Sequence, residues 1–238
     1  MKLNEEKEMN LDSYRVLLES CNLDFKRISE HYDNREATHK RLRQLLQSNK
    51  KDDYVRLALG LDEEIGNFSA SDHNLGQKIL GNNANPIDSI TSFANHIINQ
   101  NINPNELPYI IYKQYNISHL KISVGSEIAT MLEPNKYWIG NSRTIFSHLF
   151  IKHQDLYRAI HELELYKDNE PLSEMYYQKW RAIYLEMGEK INKKTGMTNL
   201  DVIHHISSEL AEKKDINTGH LKYLWIDTIC SHIYDSSK

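Results

Sequence analysis

The sequence of 238 residues is poor in cysteine, glycine and proline. Its 2 Cys, Cys21 and Cys230, stand near opposite ends of the chain, and no Cys-x-x-Cys pair is available to bind zinc. With 9 Gly and 5 Pro, the chain also has too few turn residues for a β-sandwich or a β-barrel. Two thiols in a chain of this length indicate a reducing, cytoplasmic environment and two packing side chains rather than a disulfide framework.

The sequence also lacks a strong charge bias and a long apolar segment. Its 29 Lys+Arg against 33 Asp+Glu give a formal charge of −4, which argues against a broadly basic nucleic-acid-coating surface but leaves room for a local basic patch. No apolar run approaches the roughly 20 residues that span a bilayer. The charged N-terminus has no apolar core of a secretory signal. We therefore expect a cytoplasmic protein with no membrane partner.

What the sequence does contain is helical periodicity. Apolar residues recur at steps of three and four in several segments, the pattern of an amphipathic helix. Taking about 11 residues per helix, this predicts an all-α fold, an irregular multi-helix bundle of about eight to ten helices. Pro86 suits the first turn of one helix, and Thr198 with Asp201 resembles a capping box at the start of another. The stripes fall in residues 54–68, 90–98, 177–191, 203–210 and 221–233.

One segment interrupts this pattern. Between residues 69 and 86, Ser, Asp, Asn and Gly cluster without periodicity, which predicts a break between structural units. We therefore expect a helical N-terminal subdomain over residues 1–68 and a main helical domain over residues 86–238. A single continuous domain is the alternative.

Motifs for catalysis and for cofactor or metal binding are missing. The chain has no Gly-x-Ser-x-Gly elbow, no P-loop and no Gly-x-Gly-x-x-Gly. Among its 12 His, Glu36 and His39 form one Glu-x-x-His pair, whereas carboxylate-bridged metal bundles use two such pairs. The sequence thus predicts no metal, no cofactor and no identifiable catalytic residue, and it leaves open whether the protein is an enzyme.

The densest basic segment lies on one predicted helix. Lys40, Arg41 and Arg43, followed by Lys50 and Lys51, would contact a phosphate backbone or an acidic partner. The alternative is a solvated helix face whose cations complement the negative end of the helix dipole.

A second group of cations surrounds a predicted helix start. Asn141 is a suitable N-cap for the helix that follows, which places Arg143 in its first turn. The helix dipole disfavours a cation at this position, so Arg143 indicates an anionic partner. Lys136 and Lys152 would flank the same contact.

The segment from Ser126 to Arg143 resembles a pattern in uncharacterised bacterial and phage helical proteins that are similar to the helix-hairpin-helix DNA glycosylase fold. The pattern has a helix, a Leu-x-Pro stop, an aromatic turn and a Ser-Arg pair that opens the next helix. Trp138, Gly140 and Asn141 depart from it, and where the pattern has an aspartate, Asn141 supplies no base. The match covers less than a tenth of the chain and lacks the glycine-rich hairpin that grips DNA. The matching residues are Leu132, Pro134, Tyr137, Ile139, Ser142 and Arg143.

Two functional hypotheses follow. In the first, which the resemblance supports, the protein is associated with DNA, is related to phage or defence biology, and contacts phosphates through a local basic patch. In the second, it is a non-catalytic protein-interaction module of the immunity or inhibitor type that uses exposed Tyr and Trp side chains, of which the chain has 14 and 3. The patch of the first hypothesis comprises Lys40, Arg41, Arg43, Lys136, Arg143 and Lys152.

Overall fold

The computed structural model describes residues 11–62, 68–71, 74–166, 173–191 and 196–237. Within these residues the protein is helical throughout and contains no strand; Lys190 and Thr198 form an isolated bridge. No helix in this part of the chain has both the length and the apolar character needed to cross a bilayer. The helices are α1 (Leu11–Glu19), α2 (Phe25–Gln47), α3 (Lys51–Ala58), α4 (Phe68–Ser71), α5 (Leu75–Gly81), α6 (Pro86–Asn99), α7 (Leu107–Tyr109), α8 (Ile122–Leu132), α9 (Ser142–His153), α10 (Leu156–Leu163), α11 (Glu174–Met187), α12 (Asn199–Glu212) and α13 (Lys222–Ser236).

The predicted all-α class is confirmed, but the described residues contain thirteen α-helices instead of eight to ten. The surplus comes from α4, α5 and α7, which have 4, 7 and 3 residues. Helices this short leave no periodic stripe in the sequence. Two of them lie in the polar segment between residues 69 and 86, where no helix was expected.

One apolar stripe also runs past the end of its helix. The pattern over residues 54–68 predicted a single helix, whereas α3 ends at Ala58. Gly60 follows in the left-handed region at a φ of 64°, where glycine carries no steric penalty, and this turns the chain away from the helix axis. Ile65, which belonged to the same stripe, lies outside the described residues.

Local signals at helix starts are confirmed elsewhere. Pro86 occupies the first turn of α6. Thr198 and Asp201 form a reciprocal capping box at the start of α12: the Asp201 N–H donates to Thr198 Oγ1 at 3.1 Å, and the Thr198 N–H donates to the Asp201 carboxylate at 2.8 Å.

Helix α8 lies at the centre of the molecule. It contacts α2, α4, α6, α11 and α13, and every residue from Val124 to Leu132 is buried. Gly125 allows close packing, since an added Cβ would overlap the Ile111 side chain. The one ionisable residue of α8, Glu127, is therefore enclosed in the protein interior.

Helices α2 and α13 pack against each other and against α8. Their contact includes the edge-on pair of Tyr32 and Trp225, whose ring centroids are 5.9 Å apart. The buried apolar residues form one connected cluster that extends from Tyr14 to Ile233. This cluster contains residues from both predicted units, and the division of the chain between residues 69 and 86 stays a prediction.

Candidate functional site

Three charged side chains meet in the interior where α2, α8 and α13 converge. Arg35 Nη2 lies 2.7 Å from Glu127 Oε1 and 3.0 Å from Asp227 Oδ2. The residues are 1%, 1% and 4% exposed for Arg35, Glu127 and Asp227. Removing three charges from water is costly, and such groups stabilise a fold less than a well-packed apolar core does. We call these three residues the buried triad.

Each member of the triad occupies a position that helical periodicity assigns to the core. Arg35 continues the buried face of α2 between Tyr32 and Leu42. Asp227 lies within the buried run of α13. The Ser69 N–H donates to Glu127 Oε2 at 3.0 Å, so that carboxylate is held from a second side.

The pKa values of two triad members, Asp227 and Arg35, both differ from those of the free side chains. Burial raises the pKa of Asp227 to about 6, opposed by the positive charges of Arg35 and Arg143 and reinforced by the negative charge of Glu127. Burial acts to lower the pKa of Arg35, but the two carboxylates outweigh it and the pKa is raised. Asp227 therefore exchanges its proton near pH 6 while Arg35 stays charged.

A polar cleft of about 600 Å³ opens above the triad. Glu127 and Asp227 belong to its lining, together with side chains from α2, α9 and α13. Its volume is within the range of small-molecule binding sites, and perturbed titrating groups in such a cleft are typical of functional sites. We call this feature the triad cleft.

Asn141 and Arg143 place the start of α9 at the triad cleft. Asn141 Oδ1 accepts hydrogen bonds from the backbone N–H groups of Arg143 at 3.0 Å and Thr144 at 3.1 Å. The Asn141 N–H in turn donates to Thr144 Oγ1 at 3.1 Å, which completes a capping box. This cap fixes the turn that carries Arg143.

The Arg143 guanidinium is half-buried and lines the triad cleft. Within the described part of the chain it forms no ion pair and donates no hydrogen bond. Its charge nevertheless acts on the cleft, since it lowers the pKa of both His31 and Asp227. A cation in this state is free to bind an external anion.

Two histidines lie together in the same cleft. The rings of His31 on α2 and His232 on α13 have centroids 6.2 Å apart and planes inclined at 50°. Burial lowers the pKa of His31 to about 4, helped by Arg35, His232 and Arg143. Burial and Arg27 lower the pKa of His232. Both imidazoles are therefore neutral at pH 7.

The other cations of the predicted patch lie outside the lining of the triad cleft. Lys40 pairs with Glu36 on its own helix at 2.7 Å. Arg43 pairs with Glu133, which follows α8, at 2.9 Å. Arg41 is exposed and forms no ion pair within the described chain.

Lys136 and Lys152 are engaged by separate partners. Lys136 donates to Asn101 Oδ1 at 3.1 Å. Lys152 pairs with Glu186 at 2.7 Å and with Glu162 at 3.4 Å. Of the six predicted phosphate contacts, Arg143 is the one in the cleft, and a joint contact by all six stays a prediction.

The Glu36–His39 pair is occupied by other contacts. His39 Nδ1 lies 2.7 Å from the Met131 carbonyl oxygen, and Glu36 binds Lys40. Among the described residues, no three His, Cys, Asp or Glu side chains come together as metal ligands.

The aromatic residues invoked by the protein-interaction hypothesis are mostly internal. All three tryptophans, Trp138, Trp180 and Trp225, are buried. Tyr109 and Tyr157 remain at the surface, 57% and 85% exposed. The hypothesis stays a prediction, with these tyrosines as its contact residues.

Arg143 and Asn141 were predicted from the sequence, whereas the triad and the histidine pair were not. A signal for the triad was present, since Arg35, Glu127 and Asp227 each interrupt an apolar stripe at a core position. For His31 and His232 no comparable signal exists, because their proximity arises from the packing of α2 on α13.

The chain matches no protein-family model, no curated protein and no solved structure. The resemblance of residues 126–143 to helix-hairpin-helix proteins, and the relation to phage or defence biology, therefore stay predictions.

Proposed function

We propose that the protein binds single-stranded nucleic acid or a nucleotide in the triad cleft, with Arg143 as the phosphate contact. The observation that carries the proposal is the half-buried Arg143 guanidinium, which lacks a protein partner within the described chain. A guanidinium presents a planar fork of donors that matches the oxygens of a phosphate. A phosphate bound there supplies the missing counter-charge.

The cleft is lined by both cationic and acidic side chains, and this combination limits the classes of ligand that it can bind. Arg27 and Arg143 line it as cations, whereas five carboxylates line it as acceptor groups when ionised: Asp24, Glu30, Glu127, Asp227 and Asp235. Because these carboxylates repel phosphate, the cleft suits one phosphate group held at Arg143 and not a run of phosphates. A nucleotide unit suits the arrangement better, because it carries one phosphate together with hydroxyl and N–H donors.

The size and lining of the cleft favour an unpaired strand over a duplex. A cleft of about 600 Å³ has the size of a site for one small ligand, so it accommodates a single nucleotide unit of a strand but not a double helix. Among the described residues no Phe, Tyr or Trp lines the cleft, so affinity would come from phosphate and polar contacts rather than from base stacking.

Binding of a labelled single-stranded DNA oligonucleotide across a salt series tests the proposal. The affinity should fall as salt rises, because phosphate contacts release counterions. Arg143→Ala should weaken binding at least about tenfold, the usual loss for one charge-assisted hydrogen bond, and should reduce the salt slope by about 1.

Arg41→Ala is the matched control, since Arg41 is an exposed cation on α2 that forms no ion pair within the described chain. It should leave the affinity unchanged. Absence of binding at low salt, or an equal loss in Arg41→Ala and Arg143→Ala, would overturn the proposal. A larger loss in Arg41→Ala would do so as well and would place the contact on the exposed face of α2.

A further inference from the structure

We propose that His31 and His232 catalyse cleavage of RNA, acting as general base and general acid on a phosphodiester group bound at Arg143. This inference rests on the proposed function, because it requires a phosphate in the triad cleft. It goes further by assigning a reaction, two catalytic residues and a preference for ribose over deoxyribose.

The geometry suits a pair of proton-transfer groups. The two rings come from different helices and face the same cleft, with centroids 6.2 Å apart. Proton transfer needs a ring nitrogen within about 3 Å of the reacting oxygen. A phosphodiester in line between the rings would have its attacking oxygen near one imidazole and its leaving oxygen near the other.

Burial and the surrounding charges set the resting protonation of the pair. Burial lowers the pKa of His31 most, Arg35, His232 and Arg143 lower it further, and Glu127 raises it. Burial is also the main cause that lowers the pKa of His232, Arg27 adds to it, and Asp235 and Asp24 oppose it. Both rings rest neutral, and a bound phosphate adds the negative charge that raises both pKa values.

This resting state provides the base, and bound phosphate provides the acid. A neutral imidazole has a nitrogen lone pair that accepts a proton. With phosphate beside the pair, the ring that gains a proton from solvent becomes the acid, while its neighbour stays neutral because two adjacent cations repel each other.

The reaction balances without a cofactor. The neutral histidine takes the proton of the ribose 2′-hydroxyl as the 2′-oxygen forms a bond to phosphorus. The bond from phosphorus to the 5′-oxygen of the next nucleotide breaks, and the protonated histidine donates its proton to that oxygen. The products are a 2′,3′-cyclic phosphate and a 5′-hydroxyl, and the two histidines return to their starting states by exchange with solvent.

Arg143 has a defined part in this scheme. Negative charge on the non-bridging phosphate oxygens increases as the 2′-oxygen attacks, and a guanidinium fixed by the N-cap of α9 stabilises that charge without having to reorganise. The buried triad positions α2 against α13 through the contacts of Arg35 with Asp227. It thereby keeps the two histidines on facing helices.

The test uses the chain of 238 residues and a short RNA oligonucleotide of mixed sequence, with products identified by mass spectrometry. The wild type should release fragments that end in a 2′,3′-cyclic phosphate. Replacing a single ribose by deoxyribose should block cleavage at that position only. His31→Asn and His232→Asn should each lower the rate by about 100-fold or more, the usual loss for one acid or base.

His161→Asn is the control, because His161 is exposed on α10 and outside the cleft lining. It should cleave at the wild-type rate. Binding of an all-deoxy oligonucleotide shows that each variant is folded and retains its cleft, and this binding should survive both histidine substitutions.

The outcomes separate the two proposals. Arg143-dependent binding of the deoxy oligonucleotide without RNA cleavage would overturn the catalytic inference and leave the proposed function standing. Cleavage that persists in both His31→Asn and His232→Asn would overturn the inference too, since the activity would come from elsewhere. Failure to bind either oligonucleotide at low salt would overturn both proposals.

Discussion

Arg35 and Glu127 form an ion pair of 2.7 Å in which each side chain is 1% exposed. The pair joins α2 to the central helix α8, and the same Arg35 nitrogen reaches Asp227 on α13. One guanidinium thus balances two carboxylates beneath the triad cleft. This arrangement sets the protonation of the cleft and holds together the helices that form it.

Replacing Arg35 should be strongly destabilising. Arg35→Met keeps the length of the side chain but leaves two buried carboxylates without a counter-charge, which costs about 3–5 kcal/mol in comparable buried pairs. Urea unfolding at pH 7 measures the loss. Arg41→Met, on the exposed side of the same helix, should stay within about 0.5 kcal/mol of the wild type. Equal stability of the two variants would contradict a structural role for the triad.

Asp227 should make stability fall as pH rises through the acidic range. Its pKa is raised from 3.8 to about 6 in the folded protein, so between these values the folded state holds more protons than the unfolded state. Stability then decreases from about pH 4 to pH 6, by roughly 3 kcal/mol for a shift of about two pKa units.

Asp227→Asn removes this titration and leaves the other groups in place. Relative to the wild type, the variant should gain free energy of unfolding as pH rises from 4 to 7. Urea unfolding at several pH values gives the difference. Two curves that run parallel over this range would show that the carboxyl is not perturbed in the folded state.

Glu186 should have the opposite pH dependence. Two contacts lower the pKa of Glu186 to about 2. The stronger is the hydrogen bond that His148 Nε2 donates to its carboxylate at 3.1 Å, and the other is the ion pair with Lys152 at 2.7 Å. This stabilisation is fully present above pH 4.5 and is lost as pH falls towards 2. Because Glu186 is 36% exposed, screening limits the effect to about 1 kcal/mol. Glu186→Gln should be less stable than the wild type at pH 7 and nearly equal to it at pH 2, as measured by urea unfolding.

Two glycines of α5 should respond in opposite ways to alanine. At Gly76 a Cβ would overlap the Leu59 carbonyl oxygen, a backbone atom, so Gly76→Ala should destabilise by about 1–3 kcal/mol. At Gly81 nothing lies within 4 Å of the added carbon, and Gly81→Ala should be neutral or stabilising by about 0.5 kcal/mol. Thermal unfolding distinguishes them, and a melting temperature for Gly76→Ala at or above that of Gly81→Ala would contradict the close packing of Gly76 against the Leu59 backbone.

The sequence predicts those features that depend on neighbouring residues. Apolar spacing identifies the all-α class, and the pairing of Thr198 with Asp201 is a local signal that the structure reproduces. Apolar spacing predicts the wrong helix end where apolar residues continue beyond the helix, as they do after Gly60. It also fails in α5, where Leu75, Gly76 and Ile79 are the buried residues and the helix is too short for a stripe.

The candidate site depends on contacts between distant segments, which one sequence does not display. Counting cations predicts a patch that includes Arg43, yet Arg43 is paired with Glu133 from another element. Arg143 forms no ion pair with a carboxylate of the described chain, so its charge is available to a ligand. Arg35 is a charged residue at a core position of an amphipathic stripe. In a sequence, this pattern is the signal that indicates a buried charged group such as the triad.

The most direct test of ligand binding in the triad cleft is nuclear magnetic resonance mapping of backbone amides during titration with a short single-stranded DNA oligonucleotide. We expect the largest chemical-shift changes in the segments 27–34, 141–143 and 227–236, which contain residues that line the cleft, and their loss in Arg143→Ala. Shifts confined to residues 40–51, or no shifts at low salt, would contradict the proposal that this cleft is the binding site.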